Sequence, residues 1–189
     1  MVKLAENAIR IIRGISNMPG SVIGIKMNFG YPGQISRHGD EISRTRPVKA
    51  GTEDIYFGEP VAQNNNGTVQ KFDDTKTADD FAGIAMRKVK SAVLYPYQNF
   101  GFYRAEEPCD ILQRGGVMAV CAWGTPKVGA AVYVRIKVAD GTSPTGAKVG
   151  DLGAADEAGN VVKLANAKWS SEKDPNNVAE ITILTRQGV

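Results

Sequence analysis

Catalysis needs a nucleophile, a proton carrier or a set of metal ligands at workable spacing, and residues of that kind are few and scattered here. The single histidine, His38, stands between Arg37 and Gly39, with Asp40 just beyond. One histidine cannot make a histidine-rich zinc site. A Ser–His–Asp or Cys–His arrangement would have to join His38 and Asp40 to a serine or cysteine remote in sequence. The two cysteines, Cys109 and Cys121, fit no CxxC or zinc spacing. They read as small buried thiols, with contact across a hairpin between them as the alternative. Glu106, Glu107 and Asp110 gather around Pro108 but lack the ligand series of a calcium loop. They read as solvated acids on a hairpin edge. No GxxxxGK[ST] or GxGxxG opens a helix. The sequence therefore assigns no catalytic residue, no cofactor-binding residue, no metal ligand and no cofactor.

Two other groupings point toward surfaces. Tyr95, Tyr97, Phe100, Phe102 and Tyr103 lie close together, with Lys88, Lys90 and Arg104 nearby. Such a run could stack single-stranded nucleic acid, but beside Pro96 and Gly101 it reads as core packing or a protein interface. The net charge of +3 hides an asymmetry: residues 1–50 hold eight basic and three acidic residues, a net +5, leaving −2 for the remainder. That basic segment reads either as an arm meeting an acidic surface or as a solvated loop.

The elements that must position these residues are mostly short strands. With 42% hydrophobic residues, 21 glycines and 9 prolines, the chain has a core and many turns. No run of about 18 apolar residues marks a membrane-spanning helix, and Glu6, Arg10 and Arg13 interrupt the N-terminus in a way that argues against a secretory signal. Leu4, Ala8, Ile11, Ile12 and Ile15 have amphipathic helical spacing, stopped by Pro19-Gly20. A strand is expected at 22–29, and extended, loop-like material at 30–54. Asn64-Asn65-Asn66-Gly67 predicts a hairpin turn. Further strands are expected at 81–93 and 161–164, with a hairpin of 110–113 and 117–123 turning at Arg114-Gly115-Gly116. At 131–138, Val132, Val134, Ile136 and Val138 share one face, opposite Tyr133, Arg135 and Lys137. At 178–184, Ala179, Ile181 and Ile183 share a face. The expected fold is mainly β, an antiparallel β-barrel or sandwich. Its expected organisation is a short amphipathic helical extension at 1–20, an extended N-terminal arm with one strand at 21–54, and a β-rich core domain at 55–189.

The order of several pieces gives a resemblance. They are Tyr31-Pro32-Gly33-Gln34-Ile35-Ser36-Arg37, Phe57-Gly58-Glu59-Pro60-Val61, the stretch 81–89 beginning Phe81-Ala82-Gly83, the stretch 107–115 beginning Glu107-Pro108-Cys109-Asp110, Ala167-Lys168-Trp169, and the terminal Val178-Ala179-Glu180-Ile181-Thr182-Ile183. Together, over roughly residues 29–186, they resemble the structural cement (capsid decoration) proteins of tailed bacteriophages; no feature before residue 21 matches. The resemblance implies a virion protein, made in the host cytoplasm, that binds the major capsid protein lattice on the outer surface of the head. It would stabilise the head by bridging neighbouring capsomers, as a homo-oligomer: trimers at threefold and quasi-threefold junctions first, dimers at twofold edges second. No membrane and no specific nucleic acid is implied as a partner. Within that reading the capsid-binding residues are Phe29, Tyr31, Pro32, Ile35, Arg37, Ile42, Arg44, Arg46 and Lys49: a stiff turn, apolar anchors and guanidinium forks suited to carboxylates. The rival classes are a β-scaffold hydrolase, which a fast-alkylating cysteine would reveal, and a nucleic-acid-binding β-barrel, which a steep salt dependence on heparin would reveal.

Overall fold

The computed structural model describes residues 29–88, 100–138 and 146–184. The expected helix within 1–20, the strand at 22–28, Tyr95, Tyr97 and the stretch 139–145 lie outside the described residues. The described chain is mainly β: β1 (Ile42–Pro47), β2 (Ile55–Tyr56), β3 (Pro60–Gln63), β4 (Val69–Lys71), a single 3-10 turn (Ala78–Asp80), β5 (Phe81–Ala85), β6 (Phe102–Tyr103), β7 (Pro108–Trp123), β8 (Ala131–Arg135), β9 (Leu152–Gly153), β10 (Val161–Trp169) and β11 (Val178–Ile183).

Strand β7 organises the rest. Its second half pairs with β11 and, in parallel, with β9; the path β11-β10-β8-β9-β7 therefore closes on itself as a small barrel. Its first half lies between β1 and β5, and β5 leads on to β3 and β4. An isolated parallel bridge between Val48 and Val69 joins the end of β1 to β4, so a second ring shares β7 with the first. Two apolar clusters follow. The larger takes Val117, Ala119 and Cys121 from β7, Ala179, Ile181 and Ile183 from β11, and Trp169, whose indole N–H donates to the Gly153 carbonyl at 3.1 Å. The smaller holds Val48, Ile55, Val61, Val69, Tyr103, Cys109 and Ile111. Burying each valine or isoleucine side chain among them is worth about 1.5–3 kcal/mol.

The expected 64–67 turn forms the β3–β4 hairpin: Gly67 adopts φ 81° and its N–H donates to the Asn64 carbonyl at 3.0 Å. Three other expectations are corrected. The stretch 110–123 is one strand, because Arg114-Gly115-Gly116 makes a bulge instead of a turn. The partners of Ile42 and Ser43 are Arg114 and Leu112, leaving Gln113 as the extra residue, and Gly115 takes φ 120°. Cys109 and Cys121 consequently sit in different clusters as free thiols, twelve residues apart on an extended strand, or about 40 Å. Residues 42–47 form a strand where loop-like material is expected. It has no buried face to leave a period-2 pattern, and pairing with β7 alone creates it.

The third correction is Arg135, expected on the wet face of β8 and fully buried in fact. The segment before β9 folds across it, with the Gly150 N–H donating to the Arg135 carbonyl at 2.8 Å. The guanidinium is held by Glu157 at 2.7 Å and lies 4.7 Å from the centre of the Trp123 ring. Removing one partner of such a pair strands a buried charge. Glu157→Ala should therefore cost about 3 kcal/mol in urea unfolding, and adding Arg135→Met should recover much of it. A single variant unfolding within about 0.5 kcal/mol of the parent would show that water already screens the guanidinium.

Candidate functional site

Residues 29–49 run antiparallel beside β7 over most of its length. The Gly33 N–H donates to the Met118 carbonyl at 2.8 Å, the Met118 N–H to Gln34 at 2.9 Å, and the Ser36 N–H to Gly116 at 3.0 Å. Ile35 bridges Val117. Residues 37–41 then leave the sheet as an exposed excursion before β1 resumes the pairing down to Pro47 opposite Pro108. From Met118 to Pro108 this strip spans eleven residues of β7, or about 33 Å.

Side chains fix the first half of the strip. The Phe29 N–H donates to Asp174 Oδ2 at 3.2 Å, while Asp174 Oδ1 accepts from the N–H groups of Asn176 and Val178, each at 2.8 Å. The Ser36 hydroxyl donates to Glu180 at 2.5 Å, in space that exists because residue 116 is glycine: a Cβ there would lie 2.2 Å from Ser36 Oγ. Gly33, at φ 80°, lets the turn seat against the backbone of Arg87 and Gly58. Next to it, Glu59 accepts from the Tyr56 N–H at 2.9 Å and from Lys71 at 3.0 Å. Burial pushes the Glu59 carboxyl above its usual range, and the nearby Lys71 ammonium offsets part of that rise.

The nine residues expected to bind divide by exposure. Tyr31, Ile42 and Phe29 are exposed by 64%, 50% and 45%, a large apolar surface in a strip that is otherwise polar. Pro32 is half-buried against Gly58. Ile35 packs on the larger core and so anchors the strip inward. Arg37, Arg44 and Lys49 are exposed and Arg46 is half-buried; among the described residues no carboxylate pairs with any of the four. By contrast, Arg114 pairs with Asp40 at 2.9 Å and His38 meets Glu41 at 3.1 Å. Sequence reasoning missed Arg87, whose guanidinium lies 4.7 Å over the Tyr31 ring, and Asp174. The Asp174-Pro175-Asn176-Asn177 turn signal could have flagged the latter.

The other candidate groups have structural roles. Glu106 takes φ 67° in a turn, Glu107 accepts from the Arg104 N–H at 3.0 Å, and Asp110 accepts from the Thr45 hydroxyl. Burial pushes the Cys121 thiol up, opposite to what a reactive thiolate requires. Tyr103 is buried with its hydroxyl on the Met86 carbonyl at 2.8 Å, and Phe102 packs 5.3 Å from Tyr56 and 5.2 Å from Phe100.

Comparison with known proteins fits this architecture. A family model described as XM1 gp53 minor capsid protein matches residues 20–183. No curated protein matches. A chain from the solved structure "The capsid of Myoviridae Phage XM1" superposes with a TM-score of 0.61 at 16% identity, covering 88% of this chain and 96% of that one. At that identity the likeness is one of fold.

The cradle around Gly33 has a pH signature. Glu59 holds its proton to higher pH when folded than when unfolded, so its stabilising contribution is complete below the unfolded value and is lost as pH rises through the folded one. Glu59→Gln, permanently neutral, should gain stability relative to the parent in thermal melts as pH rises above the unfolded carboxylate value of about 4. A difference that stays flat above that value would contradict the assignment.

Proposed function

Because this chain belongs to the XM1 gp53 minor capsid protein family, and is thus a structural component of a phage virion that contacts other capsid components, we propose that it is a cement protein. In this reading it binds the major capsid protein lattice on the outer surface of the head and bridges neighbouring capsomers as a homo-oligomer, with trimers favoured over dimers. Closed symmetry is the usual form for such contacts. The work required is interfacial free energy, and no reaction is involved.

The observation that carries the proposal is the strip of residues 29–49. Arg44 and Arg46 are held on the paired strand β1, with Arg37 in the excursion before it and Lys49 just after it; none of the four has a carboxylate partner among the described residues, and exposed Phe29, Tyr31 and Ile42 lie in the same strip. Aromatic and arginine side chains are those enriched at protein interfaces. Holding them on sheet backbone reduces the entropy lost on docking. Pro32 stiffens the turn under Tyr31, and Ile35 ties the strip to the core.

Replacing Arg37, Arg44 and Arg46 together with alanine should leave the melting temperature at the parent value, since none of the three joins an ion pair among the described residues. Exposed charge pairs are worth about 0.2–1 kcal/mol each. The triple variant should therefore bind undecorated heads about tenfold or more weakly in co-sedimentation. Full occupancy by the variant at limiting protein would remove the strip as the main contact.

A further inference from the structure

Among the described residues strand β1 pairs with β7 along one edge only, and the direction of its peptide groups can be followed residue by residue. The Val48 N–H donates to the Glu107 carbonyl on the β7 side at 2.9 Å, whereas the Lys49 N–H donates to Val69 of β4 at 2.8 Å. Peptide groups alternate sides along a strand, and the register from Ser43 to Pro47 is regular. Ser43, Thr45 and Pro47 therefore share the outward side with Lys49. Pro47 has no N–H to leave unpaired there. The N–H groups of Ser43 and Thr45 have no partner among the described residues. Beyond the Val48–Val69 junction, a cleft of about 640 Å³ is lined by Ile42 and Arg44 of β1, by Asn64 and Asn65 of the β3–β4 hairpin, and by Asp79 and Asp80, of which Asp80 is engaged by the Thr77 N–H and hydroxyl.

We propose that this open edge of β1 accepts one extended, acidic segment of the capsid shell as an added strand. The inference rests on the cement reading and gives its mode of recognition. Backbone pairing to Ser43 and Thr45 supplies register, and carboxylates two residues apart on the incoming strand meet Arg44 and Arg46 as cross-strand neighbours. The same two arginines reject a second copy of this chain. Edge-to-edge pairing of two β1 strands sets guanidinium groups against one another, and charged residues with a proline are how natural sheets protect an edge from self-association. The edge is closed to its own kind and open to a strand of opposite charge.

Residue-resolved amide exchange on the full chain tests this, using three synthetic peptides and undecorated heads. The peptides alternate glutamate with valine, lysine with valine, or carry the glutamate–valine sequence N-methylated at alternate residues. In the free chain Arg44 and Arg46 amides should exchange slowly and Ser43 and Thr45 fast. Heads and the unmodified glutamate peptide should slow Ser43 and Thr45 by about tenfold or more; the lysine and N-methylated peptides should not. If heads bind but Ser43 and Thr45 keep their free-chain rates, strand addition is wrong and the cement reading stands. Equal protection by all three peptides overturns the backbone mode. Heads that fail to bind the chain at all overturn both.

Discussion

Strand β7 must satisfy two cores at once, and the arrangement of the molecule follows from how it does so. Cys109 and Ile111 face the smaller cluster, Leu112 faces the larger, and Val117, Ala119 and Cys121 face the larger again. In an uninterrupted strand Leu112 and Val117, five residues apart, would point to opposite faces. The extra residue at Gln113 and the φ of 120° at Gly115 shift the alternation and bring both to the same core. Close approach is needed as well: a Cβ on Gly83 of β5 would stand 2.1 Å from the Leu112 carbonyl oxygen. The bulge and the glycines are what allow one strand to close two rings.

That constraint also creates the surface proposed here for capsid binding. Because β7 is occupied by β11 along one edge of its second half, residues 33–36 take the other edge, and β1 continues along the first half. The basic residues of the strip are thus carried by backbone fixed at both ends, by Asp174 near Phe29 and by the Val48–Val69 bridge. The excursion at 37–41 is placed opposite the bulge, where Asp40 and Arg114 form an ion pair. A surface built this way spends little conformational entropy when it meets a partner.

Where a strand has one buried face, the sequence was a good guide: the mainly β class, the Asn64–Gly67 hairpin and the inward set of Ala179, Ile181 and Ile183 were all legible. It failed where pairing, and no local pattern, decides the outcome. Strand β1 has no buried face, so nothing in Ile-Ser-Arg-Thr-Arg-Pro marks it. Gly115-Gly116 suits a turn as well as a bulge, and only the partners on both sides of β7 select the bulge. Arg135 follows β8 alternation to the supposed wet face, but a distant segment covers it and Glu157 neutralises it. For the strip, residue types were legible and their arrangement was not. That Ile35 points into the core while Ile42 stays exposed depends on contacts with β7.

The central claim, that the chain strengthens an assembled shell, is tested most directly on the shell itself. A ligand that binds only the assembled state at a hundredfold excess over Kd stabilises each site by about 2.7 kcal/mol. Summed over many sites, this exceeds the stability of one domain, about 5–15 kcal/mol. Genome-filled heads with and without the chain should be heated while DNA release is followed by dye fluorescence. The account predicts release at higher temperature from decorated heads, and recovery of that resistance when purified chain alone is added back to bare ones. Bare and decorated heads releasing DNA at the same temperature would contradict it.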